Sequence, residues 1–201
     1  MRASSVPEVA PFPAGLNDCV SGLKWVCANA AALGINTKRV IISGESGGGN
    51  LTLATGLKLK QDGDIGLIEG LYALCPFIAG EWPLPQNPSS TENNGILMNL
   101  HNNRWAMGYG IEAFRARNPL AWPGFATAED VRGLPRVVIS VNECDPLRDE
   151  GINLSARNPE RPRGALPPGD GHRPWHRDLP ERLSRYQSGY RPRDRLFRAG
   201  R

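Results

Sequence analysis

No apolar run in this sequence approaches the ~20 residues that a membrane-spanning helix needs, so no such helix is expected. The opening residues, Met1-Arg2-Ala3-Ser4-Ser5-Val6-Pro7-Glu8, contain no apolar h-region, and a secretory signal is not expected either. Cysteine is scarce, with four residues: Cys19, Cys27, Cys75 and Cys144. None is in C-x-x-C spacing and none clusters with histidine as a metal site would. They read as small buried side chains in a reducing compartment. The working description is therefore a soluble, cytoplasmic protein. Phosphate-cradling chemistry is disfavoured as well. The chain has no G-x-x-x-x-G-K-[ST], and Lys58 lies too far beyond its glycine-rich loop to serve one.

Some residue types are missing from one end only. From Ser155 onward there is no Val, Ile, Met, Thr, Cys or Lys, while 12 Arg face 5 acidic residues, a net of +7. The whole chain carries +4, so residues 1–154 are left at about −3 and the basic character belongs to the tail. A length of 201 residues suffices for one domain with a core. The expected division is a folded domain over 1–154 and an Arg/Pro-rich tail over 155–201.

What is present is an alternation of helix and strand signals. Leu16, Val20, Leu23, Val26 and Ala30 recur at helical spacing over 16–33, and Gly34 stands where a helix stop belongs. Arg39-Val40-Ile41-Ile42-Ser43 predicts a strand buried on both faces. A glycine-rich turn follows at 44–49, then a helix over 50–61. A second buried strand is predicted over 65–76, from Ile65 to Pro76, a loop over 77–95, a helical patch over 96–116 and a third strand at Arg136 to Val141. Strands separated by helix-length segments imply a parallel sheet with flanking helices, with sites at the strand carboxyl ends.

Two loops lie at such ends. The first is Gly44-Glu45-Ser46-Gly47-Gly48, a G-x-S-x-G between a strand and a helix. That is the setting of a nucleophile elbow, where a sharp turn exposes the serine Oγ above the sheet. Gly44 and Gly48 are read as glycine because side chains there would collide with the neighbouring strand and helix. Gly47 places a backbone N–H at a helix N-terminus, where it can donate to an oxyanion. The alternative reading is a loop that only turns the chain. The second loop is Asn142 to Gly151, containing Asp145, Asp149 and Glu150. Asp145, at the strand mouth before Pro146, is the candidate acid that would orient a histidine. Asp149 and Glu150 are read as opening the next helix, where acids are favoured. The blander reading makes all three solvated loop charges.

Together these motifs resemble the bacterial hormone-sensitive-lipase-like esterases, a branch of the α/β-hydrolase fold. That family's G-[DE]-S-[AG]-G-G-N-L is matched by Gly44 through Leu51, and its D-P-L-x-D-E-G by Asp145 through Gly151. Asp130-Val131-Arg132-Gly133-Leu134-Pro135 is also typical of it. The resemblance covers roughly 10–154. It implies a partial α/β-hydrolase fold, with Ser46 as nucleophile, Asp145 as acid and the Gly47 amide as oxyanion donor. The implied substrates are carboxylic esters of short to medium acyl chain. No cofactor and no metal are implied.

Two departures predict impaired or absent turnover. The family's H-G-G-G, which supplies most of the oxyanion hole, is missing from residues 1–43, and the earlier strands of the sheet are expected to be missing with it. The family also expects an H-G after a further strand. His101 precedes Asp145, and His172 and His176 have no strand pattern before them. The tail reads either as a disordered basic arm or as a gene read in the wrong frame. Residues 170–181 can be encoded so that a shift of one nucleotide reads M-G-T-A-H-G-I-E-I-F-P, restoring an H-G whose histidine codon straddles Pro174 and Trp175. The alternative function is a non-catalytic fragment or binding module whose basic tail contacts anionic partners. Its few aromatics and lack of an RNA-binding motif speak against nucleic acid.

Overall fold

The strand-forming residues around Ile41 and Ile42 build β1 (Ile41–Glu45), the first strand of a three-stranded sheet in a computed structural model that describes residues 11–96, 98–100 and 104–157. For residues 104–107 it describes the backbone alone. β2 (Gly70–Leu74) and β3 (Arg136–Ser140) complete the sheet, in the order β1-β2-β3. Both pairings are parallel and level. Ile42 pairs with Leu71 and Leu71 with Val137, while Glu45 pairs with Leu74 and Leu74 with Ser140. The three carboxyl ends therefore finish side by side.

Helix α1 (Ala14–Ala28) follows Pro13, and α2 (Ala30–Leu33) ends at Gly34 in a left-handed conformation, φ 66°, as the stop signal predicts. The predicted helix over 16–33 is thus two pieces joined at Asn29. Helix α3 (Gly47–Asp62) follows the glycine-rich turn directly. After β2 come α4 (Ser89–Glu92), α5 (Arg104–Arg115) and α6 (Ala128–Val131), and α7 (Arg148–Ala156) follows the acid loop. Thr127 closes α6 with a reciprocal capping box to Asp130. The predicted boundary at 154 falls inside α7, and Arg157 just beyond it donates to the Gly124 and Ala126 carbonyls.

One side of the sheet carries the core. Leu53, Leu57 and Ala73 pack with Leu154, and Val137 and Ile139 lie against them. Leu16 and Val20 of α1 pack over Ala54 and Leu59 of α3 and on to Leu71. The helices α3 and α7 meet the face that shows Ile42, Leu71, Val137 and Ile139. The opposite face carries Ile41, Ser43, Tyr72 and Val138, all at least half-exposed or partly exposed. The expectation that β1 is buried on both faces is therefore corrected. Ile41 is 44% exposed, because β1 is an edge strand among the described residues and only one of its faces is covered. The strand buried along most of its length is β2, in the centre. No described helix is long and apolar enough to cross a membrane.

Candidate active site

Ser46 sits between the last residue of β1 and the first of α3, with φ 56° and ψ −118°. A non-glycine residue with positive φ costs free energy and persists only where its surroundings hold it. Ser46 is held on both sides. Its N–H donates to the Leu74 carbonyl at 2.9 Å, and its carbonyl accepts from Asn50 N at 3.0 Å and Phe77 N at 3.1 Å. Gly47 follows as the first residue of α3, exposed and free of a side chain.

The glycines explain how closely α3 approaches β1. A Cβ on Gly44 would lie 2.3 Å from the Gly48 carbonyl oxygen, and one on Gly49 would lie 3.0 Å from Pro76 Cα. A Cβ on Gly48 would meet nothing within 4 Å. The predicted pair Gly44 and Gly48 is therefore corrected to Gly44 and Gly49. Gly48 contributes its carbonyl, which also accepts from Thr52 Oγ1 at 2.9 Å.

The acid loop leaves β3 at the same end of the sheet, with β2 between it and this turn. Asp145 is 5% exposed, so it is no solvated loop charge. Its Oδ1 accepts from Leu147 N at 2.9 Å, and its carbonyl accepts from Asn93 Nδ2 at 3.2 Å. Cys75 lies next to it. Cys75 extends β2 by one residue, its N–H donating to Ser140 O at 2.8 Å, at φ 41°. Burial, and then its hydrogen bond to the Asp145 carboxyl, push the Cys75 thiol up to about 12. So the structure brings the two predicted loops to one end of the sheet, with Cys75 next to the acid and Leu74 bonded to Ser46. Of the four thiols, all free, only Cys75 is buried as expected; Cys19 and Cys27 are half-buried and Cys144 is exposed.

Asp149 and Glu150 open α7 as expected, and neither is solvated. Burial alone would raise the Asp149 carboxyl, but hydrogen bonds from Ser89 N and from Arg148 outweigh it and hold it below the ordinary range. Glu150 is 4% exposed. Its Oε1 accepts from Ile78 N at 2.9 Å, and its Oε2 accepts from Ala79 N at 3.2 Å and Trp82 Nε1 at 3.0 Å. Burial dominates and pushes Glu150 up to about 8, although all three bonds favour the charged form.

Sequence reasoning gave no role to Asn50, Cys75, Asn93 or the buried side of Glu150. Asn50 Nδ2 donates to Phe77 O at 2.9 Å and Ala121 O at 3.1 Å, tying the elbow helix to the segment after β2. An asparagine one turn into a helix, beside a glycine run, was the available signal. His101, His172, His176, the tail and the frame-shift reading lie outside the described residues.

A family description given as alpha/beta hydrolase fold matches residues 6–161. The chain belongs to the α/β-hydrolase fold family. Several of the proteins it resembles are esterases. It is similar to the solved esterase Est22, 72% identical with a TM-score of 0.73, over 76% of this chain and 45% of that one. It is similar to a brefeldin A esterase described as a bacterial homologue of human hormone-sensitive lipase. That match is 39% identical with a TM-score of 0.69, over 78% and 44% of the two chains. An arylesterase of Saccharolobus solfataricus is 31% identical over 143 residues, 70% of this chain and 44% of that one. The chain thus spans less than half the length of these relatives.

Proposed function

We propose that this chain carries the chemistry of a serine carboxylic-ester hydrolase, with Ser46 as nucleophile, Asp145 as the acid and the Gly47 amide as an oxyanion donor. The observation that carries the reading is the left-handed backbone of Ser46 at the junction of β1 and α3. That conformation lifts a serine out of the strand line and sets the N-terminus of a 16-residue helix behind it. Support also comes from the burial of Asp145 at the mouth of β3 and from the esterase relatives.

In the proposed reaction Ser46 Oγ attacks the ester carbonyl carbon and its proton passes to a histidine imidazole. The carbonyl oxygen becomes an oxyanion, to which Gly47 N–H donates. The alcohol leaves with the proton held by the imidazole, and water then hydrolyses the acyl-serine. Asp145 holds the imidazole in orientation and balances its charge. The resemblance calls for this histidine, and none of His101, His172 and His176 is assigned to it. By resemblance the family's other oxyanion donors come from an H-G-G-G motif, and losing one such donor costs ~10²–10³ in rate.

The test is hydrolysis of p-nitrophenyl acetate and butyrate by the full chain and by Ser46→Ala. The expected result is measurable release of nitrophenol that falls at least tenfold in the variant. Equal rates would remove Ser46 as the nucleophile.

A further inference from the structure

Glu150 is the most deeply buried carboxylate near the site, and the reaction proposed above does not use it. Its two oxygens collect three donors, all from one short stretch after β2: Ile78 N, Ala79 N and Trp82 Nε1. The residue before that stretch is bound to the elbow. Phe77 N donates to the Ser46 carbonyl, and the Phe77 carbonyl accepts from Asn50 Nδ2. Pro76, one residue earlier, has no N–H to place. It packs between α3 and α7, 3.0 Å from where a Cβ on Gly49 would stand and 3.7 Å from where one on Gly151 would stand. Consecutive amides 77, 78 and 79 are thus fixed in turn by the nucleophile loop and by α7. Glu150 itself lies five residues after Asp145, in the helix that leaves the acid loop.

We propose that Glu150 is a positioning residue for the Ser46 centre, acting through the Phe77–Ala79 backbone to set the nucleophile loop against the acid loop. The inference rests on Ser46 being the nucleophile. The chemistry of the contact explains why a carboxyl group, with two oxygens and no NH2, is needed. Both oxygens face donors, and a glutamine would present its NH2 group to at least one of them. The buried amides would then shift to find other partners. Phe77 would move with them, and with it the carbonyl of Ser46. Reaction rates fall steeply with such small misplacements of a nucleophile.

The experiment compares wild type, Ser46→Ala and Glu150→Gln with p-nitrophenyl acetate, with rates expressed per folded molecule well below each melting temperature. Amide hydrogen exchange at Phe77 is measured in parallel. Glu150→Gln is expected to lower kcat about tenfold with KM changed less than twofold, and to speed Phe77 exchange at least tenfold. A residue that served only to stabilise the fold would shift the melting temperature and leave kcat in place. An unchanged kcat, or unchanged Phe77 exchange, would overturn the proposal. If Ser46→Ala hydrolyses as fast as wild type, the hydrolase reading fails and takes this one with it. Should Glu150→Gln not fold, Trp82→Phe removes one of the three donors, with an expected loss in kcat of about threefold; no loss would count against the proposal.

Discussion

A methyl group at position 44 would stand 2.3 Å from a main-chain oxygen of Gly48, whereas one at position 48 would touch nothing. Two substitutions four residues apart should therefore behave oppositely. Gly44→Ala forces α3 away from β1 and should cost about 2 kcal/mol or more, in the range of overpacked cores. Gly48→Ala lies inside a helix, where alanine is favoured over glycine by up to about 1 kcal/mol, so it should be neutral or stabilising. Urea unfolding of the two variants checks both signs. The motif alone shows a glycine at each position; only the closeness of the Gly48 carbonyl tells which glycine is sterically required.

Glu150 gives a second test at this scale. Its carboxyl rises from an ordinary 4.5 to about 8 in the folded chain. The folded state therefore holds this proton more tightly than the unfolded one. Stability from this group is fully present below about 4.5, declines as pH rises towards 8 and levels off above it. Asp149 has the opposite sign: its lowered carboxyl adds stability that is lost as pH falls through the acid range. Urea midpoints taken from pH 5 to pH 9 should fall for wild type relative to Glu150→Gln. Parallel curves would show that Glu150 does not titrate there.

Among the elements, those with a strong local signal were legible. The apolar spacing from Leu16 to Ala30, the stop at Gly34 and the β-branched runs of β1 and β3 each gave an element within a few residues of its place. The stretch from Ile65 to Pro76 was less so. Its apolar run reads as one long strand, but Ile65–Leu67 forms a turn of 3-10 helix and only Gly70–Leu74 pairs. Pairing depends on what lies alongside, and β2 extends only as far as β1 and β3 accompany it. The same holds for the site. Ser46 and Asp145 could be read from motifs because their chemistry demands particular neighbours in the chain. Cys75, Asn93 and the role of Glu150 could not, since their partners lie 70, 52 and 72 residues away.

At the scale of the whole molecule, the sheet has helices on one face and exposes Ile41, with Ser43 and Glu45, along the edge strand β1. Among the described residues nothing pairs with that edge. Exposed edges with apolar side chains invite association. The purified chain should therefore grow in apparent size with concentration. Ile41→Lys should suppress that growth with little change in unfolding midpoint. Light scattering across a concentration series measures both variants, and identical scattering would place the sticky surface elsewhere.

The stretch from Phe77 to Pro135 leaves the sheet at the end of β2 and returns at the start of β3, its neighbour. Departure and return points are fixed by the sheet, so the stretch can change in length or composition without altering which strands pair. Among the described residues, its hydrogen bonds to the elbow run through the Phe77 N–H and carbonyl and the Ala121 carbonyl that Asn50 holds. Such a segment is exchangeable. Kin of this chain could trade whole versions of it, provided that Phe77, the Ile78 and Ala79 amides that Glu150 holds, one carbonyl opposite Asn50 and the Asn93 bond to the Asp145 carbonyl are kept, and the chemistry at Ser46 would be inherited unchanged beneath a different cover.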